Sequence, residues 1–382
     1  MVNLELLGML IFFSVVGLLI IIDRKNIKFY YGVVMRRWKF GPELIDKVVA
    51  KHGKLLYKIG DIAVCIGLVV GIIGIAGLIY SIVIRQEAML VLPSAAGYEY
   101  PGPVLSVPFW YWLVAIFVII TVHEGMHALF ARLAKIPIKE AGVITLLIFP
   151  IGAFVEPDMK KVKKLVFEEK LRIYAAGSFG NLLAAAVVFL IVLSSTFLVE
   201  SLVEKAGVRI GSTAAGMPAE AAGITGILYR INYTDIKSIS DLRDFMKNVS
   251  VGSELVLYTT EGIFKLKTVP NPENESLPYI GITNLTNAYL YKRIYTGYVG
   301  DAALNCINIW FNLIFWIFLL NLAVATINML PLRPLDGGLM YEEILKKKFG
   351  RKGGKIMRSL ETFVFGLLLF AVFGVYIIKQ FI

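Results

Sequence analysis

Two of the chain's three histidines stand within one stretch of ten residues, T-V-H-E-G-M-H-A-L-F at 121–130. On an α-helix, His123 and His127 are i and i+4. They lie about 40° apart around the axis and one turn along it, so both imidazoles can reach one ion. Glu124 follows the first of them and can hold and deprotonate a water activated by that ion. The chemistry is hydrolysis: zinc brings the pKa of a bound water down towards about 7 and polarises a carbonyl. Packing histidines are the bland alternative. Yet this stretch lies in an apolar run that reads as membrane-spanning, where ionisable groups are costly and function is the default reason for them. A catalytic zinc needs a third protein ligand and an open position. His52 sits in a basic segment and is a poor candidate. Asp336 in I-N-M-L-P-L-R-P-L-D-G-G is better. Pro331 and Pro334 stop the preceding helix. Asp336 is then expected on a loop, where Gly337 and Gly338 let the backbone turn.

Those residues need elements to carry them. The chain of 382 residues is 57% hydrophobic, with mean hydropathy +0.72, which points to an integral membrane protein. Apolar runs long enough to cross a bilayer occur at about 4–22, 59–84, 109–131, 308–330 and 360–378. A sixth, about 173–197, is rich in small residues suited to close helix packing. The net charge of +11 is carried largely by three segments between spans, 23–58, 132–172 and 333–358. With six spans these fall on one face, which the positive-inside bias makes cytoplasmic. Segment 85–108 is nearly uncharged. The basic residues therefore indicate a lipid bilayer and no nucleic acid. Cys65 and Cys306 are far apart and form neither a disulfide framework nor a metal motif. Four N-x-S/T triplets, at Asn232, Asn248, Asn274 and Asn284, all fall in the segment this topology places outside.

Three stretches are not ordinary spans. Residues 141–151 are apolar but too short to cross, and run into G-A-F-V-E-P-D. A re-entrant β hairpin is expected, since irregular backbone is tolerated at membrane depth where protein buries it. Residues 29–58 read as an interfacial, partly amphipathic segment. Within 198–300, the order of turns and periodic runs predicts a small α+β module. It resembles a PDZ domain of the protease-associated kind through Gly216, Pro218, Ala219, Ala222 and Gly223, although Gly226-Ile227 stands where Gly-Asp is usual.

H-E-x-x-H in one span and N-x-x-P-x-x-P-x-D-G at the end of a later one together resemble the site-2 protease family of intramembrane zinc metalloproteases. His123, Glu124 and His127 match the first motif, and Asn328, Pro331, Asp336 and Gly337 the second. A-A-G-S-F-G-N matches the family's third element through Gly177 and Asn181. The resemblance implies one zinc per chain on His123, His127 and Asp336, with Glu124 as general base. It implies that Gly152, Ala153 and Phe154 of a re-entrant strand align an unwound substrate. Asn181 or Asn328 is expected either to stabilise the oxyanion or to make a polar helix–helix contact. Partners would be membrane-anchored protein substrates; the oligomeric state is not legible.

The expected fold is a polytopic α-helical membrane protein of about six transmembrane helices, with a re-entrant β hairpin and an inserted extracytoplasmic PDZ-like domain. Its parts are N-terminal helices at 1–108, a core with the H-E-x-x-H helix at 109–197, the inserted domain at 198–300, a second core piece at 301–340, and a basic segment with a last span at 341–382. A membrane metal transporter would also place His and Asp in the bilayer, but should show ligands along a path and internal repeats. An inactive relative that only binds membrane clients would not need Glu124.

Overall fold

The computed structural model describes residues 4–39, 41–94, 98–272, 274–291 and 298–381. In lipid, a backbone must satisfy its own polar groups, so the apolar runs become helices. These are α1 (Leu4–Ile22), α2 (Glu43–Val83), α3 (Phe109–Leu133), α4 (Phe167–Leu202), α5 (Tyr298–Asn328), α6 (Asp336–Phe349) and α7 (Gly353–Leu369). Among the described residues, six helical segments are long and apolar enough to cross a membrane, α6 and α7 lying in one of them. The molecule is thus a polytopic helical membrane protein. The chain divides into two units, Met1–Val192 with Ile309–Ile382, and Leu193–Asn308.

In the first unit the strands are β1 (Ile27–Tyr30), β2 (Val33–Lys39), β3 (Leu90–Ser94), β4 (Val104–Pro108), β5 (Ile138–Leu146) and β6 (Phe149–Pro157). Strands β3 and β4 pair in parallel. The others form one antiparallel sheet in the order β1-β2-β5-β6. Over 138–157 the chain forms an antiparallel hairpin, β5 and β6, built into a larger sheet. Residues 29–58 are shared between the β1–β2 hairpin and the start of α2. Tyr31 and Gly32, with φ of 46° and 87°, make the tight turn between β1 and β2. After β2 the segment enters α2, which begins at Glu43 and not near residue 59. Acidic Glu43 and Asp46 in its first turn suit a helix N-terminus. At 41 residues, α2 is about 60 Å long, roughly twice the hydrocarbon thickness of a bilayer.

Helices α2, α3, α4 and α6 and the end of α5 meet in one core, with Ala63, Phe130, Ala131, Ala175, Ala176, Met329 and Met340 all buried. Trp112, Ala115 and Ile119 of α3 pack on Ile317 and Leu320 of α5. Charged pairs fasten the helix ends. Arg132 of α3 grips Asp46 of α2 with two hydrogen bonds of 2.7 and 2.9 Å. Arg172 of α4 bonds Asp61 of α2 at 2.7 Å. Lys170 and Glu168 of α4 pair with Glu343 and Lys347 of α6, each at 3.1 Å.

The second unit is an α+β module. Its main sheet contains β7 (Val203–Arg209), β8 (Ile227–Ile231), β9 (Glu254–Thr259), β10 (Gly262–Lys267) and β11 (Thr286–Tyr291), in the order β10-β9-β8-β7-β11. A one-turn helix at Pro218–Ala221 and a longer one at Ile239–Lys247 interrupt the strands in the expected sequence. Ser238 caps the longer helix by accepting from the Asp241 amide at 3.3 Å. Val208, Leu228, Ile231, Ile236, Leu242 and Leu257 form the module's own buried core. The expected end of this part at residue 300 follows residues 292–297, which lie outside the described residues.

Candidate metal centre

Helix α3 sets His123 and His127 one turn apart, with ring centroids 4.7 Å from each other. Their Nε2 atoms are 3.1 Å apart, and each lies 3.2 Å from Oδ2 of Asp336. All three side chains are largely buried, at 12–15% exposure. Asp336 Oδ2 is buried yet has no directed hydrogen bond among the described residues. A buried oxygen equidistant from two imidazole nitrogens, and bonded to neither, is an orphan that a shared cation satisfies. The spacing fits one. A tetrahedral zinc with bonds of about 2.0–2.1 Å sets its ligand atoms about 3.3–3.4 Å apart. Two neutral imidazoles and one carboxylate are a donor set of the catalytic zinc type. Among the described residues, this is the one group of three metal-ligating side chains.

The ring orientations agree with ligation. His127 Nδ1 lies 2.8 Å from the carbonyl oxygen of Ile173. A carbonyl only accepts, so Nδ1 carries the proton and Nε2 keeps its lone pair for the ion. On His123, Nδ1 lies 3.2 Å from Asn181 Nδ2, while the buried Asn181 Oδ1 has no partner among the described residues. Turned over, that amide presents its oxygen to an Nδ1–H, and both histidines then hold Nε2 free in the same way. Gly177 makes room for the pair. A Cβ there would lie 2.4 Å from His127 Nε2 and 2.6 Å from His123 Nε2. Helix α4 thus approaches the site with hydrogen where any other residue would put carbon.

Asp336 does not stand on a loop as expected. It is the first residue of α6, preceded by Leu335 in extended conformation. Gly337 is helical too. Its position is explained by close approach, since a Cβ would lie 2.3 Å from the Met329 carbonyl carbon. The chain between α5 and α6 folds back so tightly that α6 starts against the end of α5. This brings Asp336 to the histidines.

A cavity of about 510 Å³ opens beside these ligands. Glu124, Asn328, Gly152 and Ala153 line it, with apolar Ile116, Ile120, Val324 and Leu339. Two expected residues do not. Asn181 is fully buried behind His123, on the side away from Asp336, so its place suits orienting His123 and not meeting an oxyanion. Phe154 lies on the other face of β6, where Arg37 covers its ring at 5.2 Å. Strand alternation explains this: with Ala153 facing the cavity, Val155 faces it and Phe154 cannot. Two contacts go beyond what the sequence showed: the Val155 amide donates to Glu124 Oε2 at 2.9 Å, and the Ile173 carbonyl accepts from His127. A period of two along G-A-F-V-E could have signalled the first; backbone partners leave no mark in sequence.

Helices long and apolar enough to cross a membrane thus gather around a group that could hold one metal ion. At the level of family, the likeness carried by the two motifs holds: residues 111–372 match the model of peptidase family M50, and the chain belongs to that family. A protein of Methanocaldococcus jannaschii, described as uncharacterized, is 26% identical over 359 residues, covering 90% of this chain and 87% of the relative. That likeness is longer than the family match and takes in helices outside it.

Proposed function

We propose that the chain is an intramembrane zinc metalloendopeptidase that cuts membrane-anchored proteins in or near their transmembrane segments. One observation carries this reading: three buried ligand atoms meet at 3.1–3.2 Å, with a glutamate on the adjoining residue and a cavity beside them. His123, His127 and Asp336 hold the metal. Zinc supplies Lewis acidity there, acidifying a water and polarising the scissile carbonyl. The protein's own groups do the rest. Glu124 takes the proton of the attacking water on its carboxylate and later gives it to the leaving amine. The outer edge of β6 receives an unwound stretch of substrate by strand addition. Asn328 donates to the carbonyl oxygen as it gains charge, and Asn181 holds the His123 ring.

The β5–β6 hairpin is re-entrant in this reading, and the three basic segments are cytoplasmic. Pairing of β2 with β5 and the ion pairs between α4 and α6 support a common side for those segments. The inserted module is then extracytoplasmic and PDZ-like, and filters clients by size. Impermeant labelling of Asn248→Cys and Lys348→Cys in intact cells, with Cys65 and Cys306 replaced, should mark position 248 and spare 348. The reverse pattern overturns the orientation. Activity is tested by comparing membrane-fraction peptides from cells carrying wild type or Glu124→Gln. Fragments ending within transmembrane segments should appear with wild type alone. Identical peptide sets would refute the peptidase reading.

A further inference from the structure

Strand β6 is the outer strand of its sheet. Its register against β5 runs without a break from Ala141 opposite Val155, through Gly142 opposite Phe154, to Val143 opposite Ala153. In an antiparallel pair, residues alternate between those that exchange both backbone bonds with the partner strand and those that turn both groups away. The Val155 amide donates to Glu124 at 2.9 Å, so Val155 turns away. By the same alternation Phe154 bonds to Gly142, and Ala153 directs its N–H and C=O outward on the same edge as Val155. Pro150 and Pro157 close this stretch of edge at its two ends. Ala153 and Val155 both line the cavity that holds the metal ligands.

We infer that the edge of β6 is divided in two. The Val155 amide belongs to the catalytic base: it fixes one carboxylate oxygen of Glu124 and so aims the other at the position of the attacking water. The Ala153 amide and carbonyl are the rung offered to an extended substrate. A substrate strand cannot use the Val155 amide, because Glu124 already holds it. Its ladder therefore ends at Ala153. One strand step is about 3.3 Å, so the peptide bond presented to Glu124 lies within two residues of the one paired with Ala153. Pairing thereby sets the cleavage position. The Ala153 half rests on the peptidase reading above; the hold of Val155 on Glu124 does not.

Two measurements on the full-length, detergent-purified protein test this. The first needs no activity. Amide hydrogen exchange at single-residue resolution should show Val155 protected in wild type, and about tenfold or more faster exchange there in Glu124→Ala. Phe154, bonded within the sheet, should not change. Unaltered protection at Val155, or equal loss at Phe154, overturns the assignment. The second uses Val155→Pro and Ala153→Pro. Proline removes one N–H that faces off the sheet, so no ladder bond is lost at this outer strand. On a synthetic peptide spanning a site cut by wild type but not by Glu124→Gln in the membrane peptidome, and at undiminished zinc content, Val155→Pro should lower kcat about 10- to 100-fold with little change in KM. Ala153→Pro should act mainly by raising KM, at least about fivefold. A wild-type kcat in Val155→Pro, or a loss confined to kcat in Ala153→Pro, contradicts the division. If the wild type cuts nothing, the peptidase reading fails while the exchange result still decides the Glu124 contact. If Val155→Pro does not fold, the exchange result decides alone.

Discussion

The helical unit and the inserted module are built for different solvents within one chain. In the module, Leu228, Ile231 and Leu257 are fully buried and the charged residues lie outside, as water requires. In the helical unit, Leu10, Ile72, Phe117, Leu190 and Phe365 face outward. Its buried positions include many alanines, Ala63, Ala115, Ala175, Ala176 and Ala325, all with no exposure, beside larger side chains such as Phe130, Met329 and Met340. Lipid gives little reward for hiding leucine, so these helices associate through small residues and close backbone approach. Polar groups at such depth must be matched or used. That is why His123, His127 and Asp336 stand out in the helical unit, whereas Asp241 or Glu254 in the module are ordinary surface carboxylates.

This contrast can be broken by substitutions that touch one unit alone. The largest effect is expected from Gly177→Ala. Its Cβ would intrude to 2.4 Å from His127 Nε2, although alanine favours a helix by about 1 kcal/mol. Zinc content after purification should fall at least about tenfold. Gly125→Ala is the matched control, because nothing lies within 4 Å of a Cβ there; it should keep its metal. In the module, Leu257→Ala should cost about 2–5 kcal/mol. Limited proteolysis should then cut within 205–285 while zinc per chain stays at the wild-type value. Loss of metal in that variant would mean the two units do not fold separately.

Replacing residues 205–285 with a flexible linker should retain zinc and Glu124-dependent cleavage and widen the set of fragments in the membrane peptidome. An unchanged set would remove the filtering role. The smallest effect is expected for Arg37→Ala. Arg37 spans the sheet to Glu140 and Glu156 at 3.0 and 2.8 Å but is partly exposed. Stability should drop by no more than about 1 kcal/mol. Cleavage should fall only a few-fold, through looser placement of β6; a change in metal content would give Arg37 a different role.

The residues that form the candidate metal group stood out in the sequence more clearly than the architecture around them. His123, Glu124, His127 and Asp336 were legible because ionisable groups in apolar runs are rare and their spacing has few other uses. The spans were legible from length and hydropathy, save that α2 starts at Glu43. Polar helix beyond the bilayer carries no hydropathy signal, and Lys47, Lys51, Lys54 and Lys58 made it look like a surface segment. The sheet was half legible: V-I-T-L and G-A-F-V suggested strands, but nothing local says that β2 lies beside β5. Pairing between distant segments is a tertiary outcome. Asn181 was placed in the right neighbourhood with the wrong partner, since sequence shows which residue is near a site and not which nitrogen it faces. Asp336 was assigned to a loop because D-G-G reads as a turn; packing of Gly337 against Met329 turned it into a helix start.

Two histidines of α3 and the first residue of α6 form the group proposed to hold one zinc ion. Metal analysis of the purified full-length protein beside the His123→Ala, His127→Ala double variant and Asp336→Ala tests this. About one zinc per chain is expected in wild type, almost none in the double variant, and a clear loss in Asp336→Ala, each with an unaltered helical circular dichroism signal. Zinc retained in full by the double variant, or no zinc bound by a folded wild type, would contradict it.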